Sequence, residues 1–382
     1  MGTTRRDAGA SPRTGAALTG DTPAVAVPAP KTRAGNFFED FRLGQTLVHA
    51  TPRTVTEGDA ALYTALFGGR FALTSSTPFA DALGLARAPI DELLAFHLVF
   101  GKTVPDVSLN AIANLGYAAG RFGAPVYPGD TLTAESTVIG LKQNRDGQTG
   151  VVYVHTVGVN QRVETVVDYV RWVMVRKRDP AAPAPEPVVP DLPAAVDPAT
   201  LVVPYRIAPG RYDAVRAGGP FLWEDYAVGE RIDHVDGTTI EEAEHLLATR
   251  LYQNTARVHF NLHVERAGRF GRRIVYGGHV ISVARALSFN GLANAVAVVA
   301  LNGGRHVNPT FAGDTIYAWS EVLDRQPLPG RADLGALRLR TVALRDRAAH
   351  DFPYRDANGT YDTAVVLDLD YTVVVPRRAS AA

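Results

Sequence analysis

The spacing of apolar residues in the second half of the chain changes from a helical period to a strand period. In residues 239–252, Leu247 and Leu251 stand four residues apart behind a threonine and an acidic first turn, which is an ordinary helix start. Residues 278–293 carry apolar side chains on or near one face and predict a long apolar helix. Helices therefore come first in this half.

Strand-like runs follow the helices in each half. Leu337, Leu339 and Thr341 alternate with neighbours of the opposite face, which is the period-two pattern of a strand. The predicted strand runs are 131–141, 150–161 and 164–176 in the first half and 315–323, 336–345 and 364–375 in the second. Residues 144–147 read Asn-Arg-Asp-Gly and predict a hairpin turn. Long helices followed by strands indicate an α+β fold in which an antiparallel sheet wraps around a central helix.

The two halves are copies of one pattern. Phe-Glu-Asp-Phe at 38–41 returns as Trp-Glu-Asp-Tyr at 223–226, an offset of 223 − 38 = 185 residues. A Gly-Asp-Thr turn at 129–131 returns at 313–315, an offset of 313 − 129 = 184 residues. Because such matches are collinear along the chain, they predict an internal duplication of one fold.

The duplication divides the 382 residues into four segments. We predict a first unit over 36–178 and a second over 219–377. Residues 179–218 carry closely spaced prolines and predict an extended, semi-rigid linker. Residues 1–35 are basic and rich in Ala, Thr, Gly and Pro, which predicts a disordered N-terminal extension, with an organelle transit peptide as the alternative.

Composition narrows the function classes. Hydrophobic residues make up 46% of the chain, which is ample for a buried core. Lysine plus arginine equals aspartate plus glutamate, 39 against 39, which argues against a nucleic-acid partner. There is no cysteine, so thiolate catalysis and thiolate metal sites are excluded. No apolar stretch is long enough for a membrane-spanning helix, and we expect a cytoplasmic location without membrane contact.

Two segments of the second half carry candidate chemistry. Residues 251–259 place Asn254 and His259 in a loop after the first helix, and residues 272–279 place Gly277 and Gly278 where the long helix begins. Loops that join rigid elements often gather polar groups for function.

These two segments resemble the motif of the MaoC-like hydratase family. The family pattern is Gly-Asp-x-Asn-Pro-x-His, followed by an Ile-Ala-His-Gly-like start of the central helix. The resemblance implies two fused hot-dog units and a hydro-lyase acting on CoA thioesters. It assigns His259 as the catalytic histidine and Gly277 as the oxyanion-hole glycine. Asn254 stands where the family has its catalytic aspartate.

The first copy departs further from this motif. The same register gives Gly69 and Thr74, which cannot act as acid or base. The first unit therefore resembles the degenerate half of double hot-dog hydratases, which helps to house CoA. Within the family, the chain is similar to the mesaconyl-CoA hydratases over about 36–376. That similarity is carried by residues 37–40, 49–59, 100–110, 141–144 and 276–282.

The resemblance implies interconversion of mesaconyl-CoA and β-methylmalyl-CoA in carbon assimilation through glyoxylate. Hydration of an unsaturated thioester builds negative charge on the thioester oxygen, which needs fixed donors. Gly277 and Gly278, at a helix N-terminus, are the candidate donors. His259 is the candidate acid–base group, and Asn254 can only orient water or substrate by hydrogen bonding. Either His259 acts alone or the substrate carboxylate assists.

A dicarboxylic acyl chain also needs a cation in its pocket. Arg257 replaces the proline of the family motif two residues before His259 and is the leading candidate, because a guanidinium can hold a carboxylate at two points. Arg250 and Arg272 are the next candidates, and Tyr276 is grouped with them as a substrate-binding residue. A solvated surface arginine is the alternative interpretation of each.

No metal or separate cofactor is expected. His259 and His263 have a spacing that suits zinc on a helix, but no third ligand is evident. CoA belongs to the substrate, and a homodimer is compatible with the resemblance. Two alternatives stay open: a general enoyl-CoA hydratase for fatty acyl chains, and a silent hot-dog module that binds acyl-CoA.

Overall fold

Ten antiparallel strands form one continuous sheet in the computed structural model. The model describes residues 31–203, 207–208 and 211–378. By its contacts the chain divides into two units, residues 1–34 and residues 35–382, and all ten strands belong to the second. The predicted disordered extension falls mainly on residues 1–30, which lie outside the described residues.

The strands alternate in direction with all their neighbours. They are β1 (Thr46–Thr54), β2 (Ala111–Phe122), β3 (Thr131–Gln143), β4 (Thr149–Val159), β5 (Thr165–Arg176), β6 (Arg231–Thr239), β7 (Ala297–His306), β8 (Thr315–Leu328), β9 (Arg331–Arg345) and β10 (Val365–Pro376).

The helices of the described chain are mostly short. They are α1 (Glu57–Phe67), α2 (Ala72–Ser75), α3 (Thr77–Ala82), α4 (Glu92–Thr103), α5 (Ala214–Ala217), α6 (Glu242–Leu251), α7 (Leu262–Glu265), α8 (Gly277–Leu287) and α9 (Phe289–Leu292). The two central helices are α4 and α8, and both are buried along most of their length. Helix α4 packs on β1, β3 and β5, while α8 packs on β6, β8, β9 and β10.

The strand order repeats the duplication of the sequence. It runs β1-β3-β4-β5-β2-β7-β10-β9-β8-β6, so that each half reads as the mirror of the other from the β2–β7 junction. At that junction Gly120 pairs with Leu301, and a Cβ on Gly120 would lie 2.9 Å from the Leu301 Cβ. Two fused hot-dog units, as expected from the resemblance, are thus joined edge to edge through their second strands.

Buried side-chain networks are duplicated as well. In each half a histidine on the first strand hydrogen-bonds through Nε2 to a serine hydroxyl at 2.8 Å, and the serine contacts a threonine hydroxyl at 2.7–2.8 Å. The groups are His49, Ser136 and Thr156 in the first half and His234, Ser320 and Thr341 in the second. Their offsets are again 184 and 185 residues, so the two halves share these hydrogen bonds. The Nδ1 partners differ: the Asp106 carboxylate for His49 and the Asn290 carbonyl for His234.

The central helices meet on the axis that relates the halves. His97 of α4 and Ser282 of α8 are equivalent positions, 282 − 97 = 185 residues apart, and His97 Nε2 lies 3.0 Å from Ser282 Oγ. Tyr63 donates to the same serine oxygen at 2.8 Å. One apolar core runs through both halves around this contact.

The predicted strands and helices of the second half are present with shifted ends. The helix predicted over 278–293 ends at Leu287, because Asn290 and Gly291 have non-helical angles inside α9. Strands β2 and β7, which join the halves, were missed by the sequence analysis. Strands β1 and β6 were missed as well, so a strand and not a helix comes first in each half. Residues 179–218 contain one bridge, from Val188 to Leu141, and only single turns of helix among their described residues.

Within the described residues, no helix has the length and apolar character needed to cross a membrane.

Candidate active site

The start of α8 places backbone amides at the surface of a cavity. Tyr276 is the N-cap residue and makes no side-chain cap, so the first amides of the helix are left for another acceptor. A Cβ on Gly277 would lie 2.4 Å from the His306 ring. A Cβ on Gly278 would lie 2.3 Å from the Tyr276 ring and 2.5 Å from His97. Glycine is therefore required at both positions by close approach of rings.

His259 is held in a defined orientation by the neighbouring loop. It ends a 3₁₀ turn, Arg257–His259, and its Nδ1–H donates to the Ile274 carbonyl at 2.9 Å. The Ile274 N–H in turn donates to the Val258 carbonyl, which ties the two segments together. Because a carbonyl only accepts, Nδ1 carries the proton and Nε2 keeps its lone pair. Burial lowers the pKa of His259 to about 4, so the ring is neutral near pH 7.

Asn254 is fixed by the end of α6 and by the first half of the molecule. Gln253 adopts a φ of 54°, which turns the chain, and the Asn254 side-chain oxygen accepts from the Ala256 N–H at 2.9 Å. Gly101 of α4 packs against this turn so closely that a Cβ there would lie 1.9 Å from the Tyr252 carbonyl oxygen. The amide NH₂ of Asn254 is left to donate elsewhere.

A second histidine, His306, lies at the end of β7 beside Gly277. Its Nε2 lies 3.2 Å from the Tyr117 hydroxyl of β2. Burial lowers the pKa of His306 to about 4, and the nearby His259 contributes in the same direction. Burial also raises the pKa of Tyr117, so its hydroxyl stays protonated. This pair is built from both halves of the chain.

One cavity of about 390 Å³ unites these groups. The second half contributes Asn254, His259, Tyr276, Gly277 and His306 to its wall. The first half contributes Phe100, Tyr117 and Arg171, together with residues of β2. The site is therefore composite, whereas the sequence analysis placed its chemistry in the second half and gave the first half a housing role.

The predicted residues are not all brought to this cavity. Asn254, His259, Tyr276 and Gly277 line it, while Gly278 lies behind Gly277 against His97.

The three arginines predicted to bind substrate are placed differently. Arg250, Arg257 and Arg272 are exposed and absent from the lining, and Arg272 stacks on Phe311 at 3.8 Å. Arg250 belongs to α6, whereas Arg257 and Arg272 flank the segments that bring His259 and Ile274 to the cavity. Their predicted role in holding the acyl carboxylate stays a prediction that this placement does not support.

The residues that sequence reasoning missed had signals of their own. Arg171 follows Val167 and Tyr169 on the inward face of β5, so a charge stands in a row of core positions. His306 follows the duplicated Gly-Arg pair, and its equivalent in the first copy is Phe122. A difference between copies at an equivalent position was the available sign of a specialised site.

No group of three or more histidine, cysteine or acidic side chains among the described residues is arranged to hold a metal ion. The chemistry available to the cavity from the chain itself is hydrogen bonding and proton transfer by neutral histidines, tyrosine hydroxyls and helix amides.

Comparisons with known proteins identify the family. The profile of the family described as mesaconyl-CoA hydratase matches residues 21–352. The β-methylmalyl-CoA dehydratase of Chloroflexus aurantiacus is 74% identical over 348 residues, covering 91% of this chain and 99% of the relative. The mesaconyl-CoA hydratase of Cereibacter sphaeroides is 62% identical over 349 residues, covering 91% and 100%.

Solved structures agree on the fold. A crystal structure of a MaoC domain protein dehydratase from Chloroflexus aurantiacus is 74% identical and superposes with a TM-score of 0.90, covering 92% of this chain and 100% of that one. A Mycobacterium tuberculosis protein described as a double hotdog fold is 25% identical, with a TM-score of 0.72 and coverage of 90% and 99%. With the match over 21–352 and these relatives, the chain belongs to the mesaconyl-CoA hydratase family.

Proposed function

We propose that this protein interconverts mesaconyl-CoA and β-methylmalyl-CoA by reversible hydration. The observation that carries the proposal is the 74% identity, over almost the full length of both chains, with a protein named β-methylmalyl-CoA dehydratase. The cavity supports it, because a neutral histidine and the uncapped start of a helix line the same space. Hydration of an unsaturated thioester requires proton transfer and donors for the enolate oxygen, which these two elements can supply.

The reaction breaks one O–H bond of water and the π bond of the substrate. The water oxygen bonds to the β-carbon, which also bears the carboxylate, while the π electrons move onto the thioester oxygen as an enolate. The proton taken from water then bonds to the α-carbon as the thioester carbonyl forms again. Atoms and charge balance without an added reductant, oxidant or metal.

His259 is proposed as the group that moves the proton. Its Nδ1–H is engaged with the Ile274 carbonyl, so Nε2 is the basic nitrogen. A pKa of about 4 keeps this nitrogen unprotonated throughout the neutral range. After taking a proton from water, the imidazolium can return it to the α-carbon. A positioned acid–base group of this kind typically contributes about 10²- to 10⁴-fold to the rate.

The start of α8 is proposed as the oxyanion hole. Gly277 and Gly278 leave room for a thioester oxygen beside the first amides, and the helix dipole favours negative charge there. Loss of one such donor typically costs about 10²- to 10³-fold in kcat. In this proposal, Tyr276 orients the acyl chain from its position at the N-cap.

Asn254 is proposed to position the attacking water. Its carbonyl oxygen is used by the Ala256 N–H, which leaves its NH₂ group as a donor. This is consistent with His259 acting alone or with help from the substrate carboxylate. If Asn254→Asp raises activity, both hypotheses fail, because a carboxylate would then be the better group at this position.

The deciding experiment follows the absorbance of the conjugated thioester. The purified protein is mixed with mesaconyl-CoA and, separately, with crotonyl-CoA, and the His259→Ala variant is tested alongside. Rapid loss of absorbance with mesaconyl-CoA alone, abolished in the variant, supports the proposal. Equal turnover of crotonyl-CoA would identify a general enoyl-CoA hydratase instead, and no turnover of either would identify a silent acyl-CoA-binding module.

Four expectations from the sequence remain predictions. They are the absence of a cofactor other than the CoA of the substrate, a cytoplasmic location, a homodimer, and the division into a non-catalytic unit over 36–178 and a catalytic unit over 219–377.

A further inference from the structure

Arg171 lies in the middle of β5 with its side chain on the core side of the sheet. The flanking inward residues Tyr169 and Val173 are fully buried, and the exposure of Arg171 is likewise 0%. It pairs across the strands with Tyr117 and lines the cavity of the candidate site. A charged side chain at such a position is rare without a specific partner.

The surroundings of Arg171 satisfy only part of its guanidinium. Nη2 donates to the Thr103 hydroxyl at 2.6 Å, with the Ser108 hydroxyl at 3.4 Å, and the group stacks on Phe100 at 4.1 Å. Nε and Nη1 are buried, and neither has a hydrogen-bond partner among the described residues. The described chain also supplies no carboxylate within ion-pair distance of this guanidinium.

A guanidinium in this state is costly to the free protein. Arginine keeps its charge, and an unpaired buried charge is destabilising because it has lost its hydration without gaining a partner. Two free N–H groups in a fixed plane match the two oxygens of a carboxylate. The missing partner is therefore best supplied by an anionic ligand that enters the cavity.

A second buried arginine shows what a structural arginine looks like in this fold. Arg285 of α8 donates to the Ala295 carbonyl at 2.5 Å, stacks on Phe71 at 3.5 Å, and has the carboxylate of Asp91 in its electrostatic surroundings. Arg285 is satisfied by protein groups, whereas Arg171 is not. The difference separates a packing role from a ligand-binding role.

The position of Arg171 suits the far end of an acyl chain. The cavity wall includes exposed Ile112 and Phe270, at 44% and 37% exposure, and fully buried Arg171. With the bulky CoA group left at the exposed part of the wall, the acyl chain is the part that reaches the buried residues. From the helix start at Gly277 the wall passes through His306 and Tyr117 to Arg171.

We propose that Arg171 binds the terminal carboxylate of the acyl chain and thereby selects dicarboxylic over monocarboxylic acyl-CoA. The inference rests on the proposed function for the identity of the carboxylate. The proposed carboxylate-binding residue is thus a buried arginine of the first half, in place of the exposed arginines of the second half that the sequence analysis named. It also gives the non-catalytic half a direct role in specificity.

Arg171 would also fix the reacting carbon. The carboxylate that it holds is bonded to the β-carbon, which is the carbon that water attacks. Two-point binding of the carboxylate and hydrogen bonding of the thioester oxygen at α8 would hold both ends of the conjugated system. A monocarboxylic chain of the same shape would leave the guanidinium dehydrated and unpaired.

Binding of unreactive analogues tests the inference without turnover. Methylsuccinyl-CoA carries the carboxylate, and 2-methylbutyryl-CoA has a methyl group in its place. By calorimetry, wild-type protein should prefer the first by about 100-fold, the size expected for a buried charged hydrogen-bonded pair. Arg171→Met should lose about 100-fold in affinity for methylsuccinyl-CoA and keep its affinity for 2-methylbutyryl-CoA within about threefold.

Two further variants complete the comparison. Arg171→Lys keeps the positive charge but lacks the two parallel N–H donors of a guanidinium. It should recover part of the preference for methylsuccinyl-CoA. Arg176→Gln removes an exposed arginine of the same strand and should behave as wild type. If Arg257→Met abolishes the preference and Arg171→Met does not, the assignment is wrong.

Thermal unfolding separates ligand binding from a structural role. Because removal of an unsatisfied buried charge in favour of an apolar side chain is often neutral or stabilising, Arg171→Met should melt at the same temperature as wild type or higher. A lower melting temperature, together with equal weakening of both ligands, would overturn the inference.

The outcomes also distinguish this inference from the proposed function. If the wild-type protein hydrates mesaconyl-CoA rapidly and Arg171→Met keeps its preference over 2-methylcrotonyl-CoA, the inference fails and the function stands. If the wild-type protein does not hydrate mesaconyl-CoA but binds methylsuccinyl-CoA through Arg171, the function fails and dicarboxylate recognition stands.

Discussion

The duplication relates two cavities that differ in volume and in lining residues. The candidate site encloses about 390 Å³, whereas the space related to it by the duplication, lined by Leu93 and by residues of the second half, encloses about 10 Å³. The register of the strands shows the equivalence, since Arg171 pairs with Tyr117 as Tyr371 pairs with Leu301. Leu93 stands at the position of Gly278 and adds bulk to the second space, whose wall has apolar Leu301 and Val298 at the positions of Tyr117 and Asn114.

The N-terminal caps of the two central helices also differ between the halves. Asp91 caps α4, and its side chain accepts from the Leu93 N–H at 2.8 Å. The equivalent cap position of α8 is Tyr276, which makes no such bond, so the amide equivalent to that of Leu93, on Gly278, is not consumed by a cap. One helix end is satisfied by its own chain, and the other is left available to a ligand.

The comparison teaches that duplication preserved the scaffold and changed the cavity. The His-Ser-Thr hydrogen bonds recur in both halves, because they stabilise strand packing that each half needs. The open cavity is lined from both halves, and the first half supplies Arg171 and Tyr117 to it.

The largest expected effect is a loss of kcat at His259 that is absent at Thr74, the equivalent position of the first half. His259→Ala should lower kcat by about 10³-fold, because the proposed proton carrier is lost. Thr74→Ala, at the equivalent position of the first half, should change kcat by less than about twofold. Steady-state hydration of mesaconyl-CoA measures both. A similar loss in the two variants would contradict the assignment of the chemistry to one half.

A smaller loss is expected at the helix start. In Gly277→Ala the new methyl group would lie 2.4 Å from the His306 ring, which must move and disturb the oxyanion hole. We expect kcat to fall by about 100-fold with a smaller change in KM, because the hole acts on the transition state. Gly219→Ala, at a glycine with open space for a methyl group, is the control and should keep wild-type kinetics. A change confined to KM would mean that the helix start binds substrate without stabilising the enolate.

Acid should weaken the second half more than the first. Burial lowers the pKa of four of its histidines from 6.5 to about 3 or 4, whereas the first half has one such residue, His97, among the described residues. The four are His234, His259, His279 and His306.

The direction of the acid effect is set by proton uptake. Between pH 6.5 and about 4, the unfolded chain binds protons that the folded chain does not, so the free energy of unfolding falls as the pH falls through this window. Each histidine contributes at most about 1.4 kcal/mol per pH unit. Hydrogen exchange at pH 7 and pH 5 should show earlier loss of protection in β6–β10 than in β1–β5. Equal loss in both would show that the halves respond as one unit.

The smallest expected effect is one that should be equal in the two halves. Ser136→Ala and Ser320→Ala each leave a buried histidine and threonine without their shared partner, at a cost of about 1–3 kcal/mol. Because Ser136 and Ser320 make the same two contacts, the two losses in the free energy of unfolding should agree within about 0.5 kcal/mol in chemical denaturation. A large difference would mean that one network has acquired a role beyond packing.

The sequence predicted the elements whose signals are local. The strand over 336–345 was found because its apolar residues alternate, and α6 because of its acidic first turn. Strands β2 and β7 escaped because they are rich in alanine and glycine, which have low strand propensity. Small residues are needed there because β2 and β7 approach each other closely where the two halves join.

By itself, the sequence determined the duplication, since collinear repeats depend only on residue type and spacing along the chain. Its resemblance to the MaoC-like family predicted the double hot-dog fold and the proposed roles of His259, Asn254 and Gly277. Tertiary structure decided which arginine faces the cavity. Arg257 is near His259 in sequence but points outward, whereas Arg171 is 88 residues away from His259 (259 − 171) and lines the same space. The physical reason is that β5 and the start of α8 line one cavity only through the packing of the two halves, which no local pattern encodes.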